Sequence, residues 1–440
     1  MTPIFFGLLA IVLFVVLMFL GMNIPFAMLL SSAVVMIVFR TPMIAAQTII
    51  AGMTTTFTDY SLTVAPMFGL MGFIATYTGL GSKLFDSLKT FVGHRRGGLA
   101  WSVQIASAGF GAICGSVPAT QATMTAVAYP EMRKSNYSVE LSSLCIAEGA
   151  TLSVLIPPSA TMIVFGIVTE NSIGRLFMSG IIPGIVMCLL NIVLISFLCK
   201  LKPAWGPAGI RSTWAERWNS LKNGSILQVA IVFLIAMGGM WGGWFTPTEA
   251  GAIGVFGMLL VTIAAKQLNF KKLRRSLIEG VRLTAMMYLL MAAAGIFGKT
   301  LAMTRLPIAM GDLVKGNNYP PVVVMLIIIV LYFIAGMFCD FMSMMLVTIP
   351  IFYPLITDYC GYDPTYFAIL IILMHSVGSM SPPVGIAIFL QKIFIAPWDA
   401  DFPIGKLFGA VWPWVVMRFA AIALFSIFPG FVTFLPNLIT

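Results

Sequence analysis

Apolar runs at 4–21, 61–81, 176–199, 226–244 and 322–338 constrain this chain more than any other feature, because each contains almost no charge. A helix needs roughly 20 apolar residues to cross a hydrocarbon layer. Backbone polar groups in lipid must be satisfied within the segment, and the period-two alternation of a membrane barrel is absent, so these runs predict helices. Hydrophobic residues make up 60% of the 440 and charged residues only 9%. A soluble domain carries about 25% charge, so no water-exposed fold accommodates this sequence. The N-terminus is apolar from Pro3 and has no basic residue before Arg40. It therefore reads as the first membrane helix rather than a cleavable leader.

The formal net charge of +10 comes largely from clusters at Lys83 to Arg96, Arg133 with Lys134, Lys200 to Lys222, and Lys266 to Arg282. Basic residues in short loops between spans set membrane orientation and do not signal nucleic acid. With all four clusters in the cytoplasm, the N-terminus lies outside. Helices then follow near 4–21 and 24–39, with an amphipathic stretch near 43–57 and a helix at 61–81 running inward. Cys114, Cys145, Cys188, Cys199 and Cys339 lie in or beside apolar stretches, with no CxxC or Cys/His cluster, and read as core filling.

Segment 98–132 begins and ends beside basic clusters, which predicts a re-entrant hairpin. Its tip reads Cys114-Gly115-Ser116-Val117-Pro118-Ala119-Thr120, and a second interruption, Ile156-Pro157-Pro158-Ser159, breaks the helix expected over 138–169. Paired prolines remove backbone donors and force a helix to stop and restart. The same punctuation returns about 225 positions later: Pro25 is answered by Pro247, Pro130 by Pro354, and Pro157-Pro158 by Pro382-Pro383. This predicts a second hairpin over 322–357, with its tip from Cys339 to Ser343, and a second broken helix over 364–395. The expected copies are 1–224, ending in a connecting arm at 200–224, and 225–440, ending in a C-terminal helix. By the charge count they are inverted. Interrupted helices at matching places in inverted repeats point to a transporter's midplane binding site.

Half-helices that meet at a break leave carbonyls free at their C-terminal ends and amides free at their N-terminal ends. The candidate cation ligands are Gly115, Ser116 and Thr120 at the first tip, and Gly149, Thr151 and Ser153 at the first break. Asp340 and Ser343 at the second tip, and Gly378 and Ser381 at the second break, complete the set. Ser159, Ser376 and Ser379 adjoin them. Neutral oxygen dominates, which favours sodium over proton coupling.

Asp340 in its apolar context is a functional candidate. Glu249, in Thr246-Pro247-Thr248-Glu249, fits a capping box and is also a candidate substrate residue. Arg305 is either an interfacial side chain or a countercharge for an anionic substrate, and Lys299 shares that ambiguity. Glu148 is divided between a structural hydrogen bond and ion binding, and His375 reads as a buried polar filler, with a pH-sensing role as the alternative. With only His94 and His375, and no HExxH or GxSxG, an enzyme is excluded. A channel would need a continuous polar pore.

Four stretches together resemble the large membrane subunit of the tripartite ATP-independent periplasmic transporters. They are EGATLSVLIPPSATMIVFGIVTENSIGRLFMSGIIPGI from Glu148, WGGWFTPTEAGAIGV from Trp241, the Asp340 hairpin through TIPIFYPLI, and SMSPPVGIAIF from Ser379. The resemblance implies an all-α polytopic elevator-type transporter with two re-entrant hairpins and two broken helices, in a bacterial inner membrane. It implies sodium as the coupling ion and no organic cofactor. It also implies a small four-helix membrane subunit, a periplasmic substrate-binding protein, and a small organic anion, carboxylate or sulfonate, as cargo. By similarity, Ser116, Arg305 and Asp340 lie near the substrate path. Scaffold helices are then expected at 4–39, 176–199 and 226–265, and mobile parts at 98–169 and 322–395. A stand-alone sodium/organic-anion symporter without a binding protein is the alternative reading.

Overall fold

The computed structural model describes residues 2–223 and 226–438, and among them there are helices and no strand. The first part contains α1 (Pro3–Phe19), α2 (Ile24–Phe39), α3 (Pro42–Thr58), α4 (Val64–Thr78), α5 (Leu80–Val92), α6 (Gly98–Cys114), α7 (Val117–Lys134), α8 (Val139–Thr151), α9 (Ala160–Val168), α10 (Ile173–Leu201) and α11 (Trp214–Asn223). The second contains α12 (Ile226–Trp241), α13 (Pro247–Ala264), α14 (Phe270–Met303), α15 (Leu306–Gly316), α16 (Pro321–Gly336), α17 (Phe341–Pro354), α18 (Pro364–Met380), α19 (Ile386–Asp399), α20 (Ile404–Ala410), α21 (Trp412–Ile427) and the single turn α22 (Gly430–Thr433). The expected boundary between the copies, 224/225, lies outside the described residues.

Proline sits in the first turn of α2, α3, α13, α16 and α18, where its missing N–H has no helical partner to lose. The outer helices show an apolar stripe at four-residue spacing. On α10, Ile185, Leu189, Val193 and Phe197 are exposed, while Met187, Asn191 and Ile195 on the other face are buried. Bare aliphatic stripes of this kind suit lipid. Among the described residues, five continuous helical stretches are long and apolar enough to cross a membrane: Tyr60–Thr78, Ile173–Leu201, Pro247–Ala264, Phe270–Met303 and Phe341–Tyr359.

Two differences from the sequence reading have plain causes. The basic stretch after residue 81 is not a loop: left-handed Gly79 ends α4, and Leu80, Leu84 and Phe85 give α5 a buried face with Lys83 and Asp86 turned away from it. The basic cluster from Lys266 to Arg282, expected in a loop, lies mostly within α14, which begins at Phe270 because Asn269 caps it by accepting from the Lys272 N–H at 2.9 Å. The innermost helices are α8, buried except at Glu140, and α18, buried except at Pro364 and Ser379. Around them the packing is reciprocal. α2 lies against α14 and α13 against α4, while α7 lies against α19 and α17 against α9.

Candidate functional site

The inner part of the fold consists of two tips and two breaks. α8 tightens into a short turn at Leu152–Val154, passes the cis Pro157-Pro158 bond, and restarts at Ala160, with Ser159 Oγ accepting from the Met162 N–H at 3.4 Å. α18 ends at Met380, passes the cis Pro382-Pro383 bond, and restarts as α19 after left-handed Gly385. Each tip rests on the break of its own half through glycine. A Cβ on Gly115 would lie 2.7 Å from the Pro158 carbonyl oxygen, and one on Gly111 would lie 2.8 Å from Ser153 Cα. In the second half, a Cβ on Gly378 would lie 2.3 Å from the Phe333 carbonyl oxygen, and one on Gly336 would lie 2.8 Å from the His375 carbonyl oxygen. Only glycine allows backbones to approach so closely. Gly115 also needs its φ of +59°, which other residues adopt at a cost.

The hydroxyls at the breaks share one habit. Thr151 Oγ donates to Glu148 O at 2.6 Å, Ser153 Oγ to Ala150 O at 2.7 Å, and Ser376 Oγ to Leu373 O at 2.6 Å. Ser379 Oγ donates to Ser376 O at 2.9 Å, and Ser381 Oγ to Val377 O at 2.8 Å. With each proton committed to the helix backbone, the oxygens can only accept: those of Thr151 and Ser376 accept from Arg418, and those of Ser153, Ser379 and Ser381 present lone pairs to their surroundings. Thr120 Oγ1 at the first tip is buried and, apart from the Cys114 thiol beside it, finds no hydrogen-bond partner among the described residues. Ser107 Oγ is likewise unpartnered, and it faces Gly149 so closely that a Cβ there would lie 2.8 Å away.

At the second tip, Asp340 is exposed and caps α17, accepting from the Ser343 N–H and the Ser343 hydroxyl, both at 3.1 Å. His375 is 7% exposed, places Nε2 2.9 Å from Cys339 O, and meets the Phe341 ring edge-on at 4.8 Å between centroids. It fills the core and clamps the tip.

Ser116, Arg305, Asp340 and Glu249 are not gathered in one place. Ser116, half-buried, starts α7 without a side-chain cap. Glu249 is spent in a capping box, with Oε2 accepting from the Thr246 N–H at 2.8 Å. Arg305 and Lys299 are exposed, Arg305 in a left-handed turn between α14 and α15. Its neighbours Thr304 and Leu306 meet Gly7, near the start of α1, whereas Cys339 beside Asp340 meets Met18 near its end. At about 1.5 Å per residue those contacts are roughly 16 Å apart along the helix.

The residue most conspicuous in the structure, Arg418, is absent from the candidates drawn from the sequence. It lies in α21, 2% exposed. Its Nε donates to Glu148 Oε1 at 2.7 Å, and its terminal nitrogens donate to Thr151 Oγ1 and Ser376 Oγ. A lone arginine inside an apolar helix is itself a signal for function. A polar seam between α7 and α19 also escaped. Gln121 Nε2 donates to Ala387 O at 2.8 Å and to Gln391 Oε1 at 2.9 Å, and Tyr129 Oη donates to Asp399 Oδ2 at 2.6 Å.

Residues 11–431 match the family profile of the tripartite ATP-independent periplasmic transporter, DctM component. The chain belongs to that family. It is 30% identical over 381 residues, 86% of each chain, to the C4-dicarboxylate TRAP transporter large permease protein DctM of Pseudomonas aeruginosa. It is also 28% identical over 425 residues, 96% of each chain, to the sialic acid TRAP transporter large permease protein SiaM of Vibrio cholerae. Such relatives are transporter permeases, not enzymes. Among solved structures, the YdaH transporter of Alcanivorax borkumensis superposes with a TM-score of 0.60 at 14% identity, covering 89% of each chain, a likeness of fold alone. This DctM-family chain is therefore a multi-pass membrane transporter subunit.

Proposed function

We propose that the chain is the large permease subunit of a sodium-coupled, binding-protein-dependent importer of a small organic anion across a bacterial inner membrane. The observation that carries the coupling ion is the set of hydroxyls at both breaks. The protons of Ser153 and Ser381 are held by backbone carbonyls, so these oxygens present lone pairs at the two breaks, and Thr120 Oγ1 lies buried at the first tip. Hard, neutral oxygens suit a small cation.

The cargo reading rests on relatives named for C4-dicarboxylate and sialic acid, both carboxylates, and on the exposed Arg305. Guanidinium recognises carboxylate through paired hydrogen bonds. Arg305 meets the anion, Asp340 and Ser116 stand at the tips, and sodium occupies the breaks. Because glycine contacts join each tip to its break, α6 to α9 and α16 to α19 act as the mobile body. This body shifts against α1, α2, α10 and α12 to α14, giving alternating access of the elevator kind. The tips enter as re-entrant hairpins of an inverted repeat, the basic clusters face the cytoplasm, and the N-terminus faces the periplasm. A small four-helix subunit packs on the scaffold, and a periplasmic binding protein delivers the anion.

Reconstitution of the three components in proteoliposomes, with labelled succinate or sialic acid and an inward sodium gradient, tests this reading. Replacing external sodium by potassium at constant pH stops uptake. Undiminished flux would transfer the coupling to protons, and full uptake without the binding protein would favour the stand-alone symporter.

A further inference from the structure

Thr151 and Ser376 occupy the same place in the two halves, six residues before Pro157 and six before Pro382. One guanidinium spans both. Arg418 donates from one terminal nitrogen to Thr151 Oγ1, from the other to Ser376 Oγ, and from Nε to Glu148 Oε1 at 2.7 Å. Arg418 is 2% exposed and Glu148 is fully buried. Each hydroxyl sends its own proton to the carbonyl three residues back, so it can only accept from the arginine.

Three features make this more than a buried ion pair. The guanidinium is planar and rigid, so its three donors fix the relative position of the last turns of α8 and α18. The charges of Arg418 and Glu148 cancel, which leaves the breaks electrically neutral for incoming cations. The group is buried, so if one break slides against the other, the fork loses a partner within the protein interior. Arg418 is itself carried by a third element, α21, outside both tips and both breaks.

We propose that Arg418 is a positioning residue for cation coupling, holding the equivalent turns of the two broken helices as one body so that the cation sites at the two breaks fill cooperatively. The inference rests on the sodium reading above. Lysine at 418 keeps the charge but, as a point cation on a flexible stem, cannot hold the three-way fork.

The test uses the purified full-length chain in detergent and sodium chloride alone, titrated against potassium chloride at constant ionic strength, with melting temperature as readout. In the unaltered protein, sodium and not potassium raises the melting temperature, with a Hill coefficient above one. Arg418→Lys lowers that coefficient to about one and raises the half-saturating sodium concentration severalfold, as loss of site-to-site coupling requires. Thr151→Val removes one arm of the fork and moves both quantities the same way, while Thr151→Ser restores them. Should Arg418→Lys fail to fold, Thr151→Val decides. Sodium curves unchanged in these variants, or a coefficient of one in the unaltered protein, overturn the inference alone. Indifference of the unaltered protein to sodium overturns the coupling reading and this inference together.

Discussion

The two breaks share a backbone plan and differ in where they keep their charge. In the first half the acid is Glu148, fully buried inside α8 and answered by Arg418. In the second half the acid is Asp340, exposed at the tip, and the side chain on the break is His375, bound to the Cys339 carbonyl. The tips differ in the same sense. Gly115 and Cys114 are buried, whereas Asp340 reaches the surface. One half thus stores a compensated pair that serves architecture, and the other displays an acid that a passing ion or anion can meet.

The largest effect expected from this contrast is that of Arg418→Ala. It strands Glu148 in the core, a loss of about 3–5 kcal/mol. Thermal unfolding of the purified protein measures it, with Arg418→Met/Glu148→Gln recovering most of the loss. A cost no greater than that of removing the exposed Asp340 carboxylate would erase the distinction between the halves. Next is the seating of the first tip. Gly115→Ala combines a left-handed φ of +59° with a Cβ 2.7 Å from the Pro158 carbonyl oxygen, whereas Gly361→Ala has a φ of +71° and open space around it. The strain common to both is about 1–2 kcal/mol, so melting that falls further for Gly115→Ala isolates the tip-to-break contact, and equal shifts would mean the tip is not seated. The smallest change in stability belongs to Asp340→Ala, which removes a helix cap worth about 1 kcal/mol. Uptake in proteoliposomes nevertheless stops while the complex still assembles on size-exclusion chromatography. Normal uptake by this variant would remove Asp340 from the transport path.

Membrane character, the positions of the breaks and the residues at the tips were legible in the chain, because each depends on local chemistry. Apolar run length, proline's missing donor and glycine's freedom act within a few residues of where they are read. The cap at Glu249 was legible for the same reason, since Thr246 and Glu249 are three positions apart in one helical turn. Residue type marks the hydroxyls at the breaks as candidate cation ligands, but it does not say that the Thr151 hydroxyl faces a guanidinium.

The sequence by itself determined that this chain is a helical membrane protein with two interrupted segments in corresponding places, since only helices and closed barrels satisfy a backbone in lipid and the alternation of a barrel is absent. Only the tertiary structure decided which polar groups meet. Arg418 finds Glu148 across 270 positions, and Gln121 finds Gln391 across another 270, because α21 and α19 return to pack beside helices from the first half. Such meetings follow from the crossing of whole helices, and no spacing along the chain encodes them.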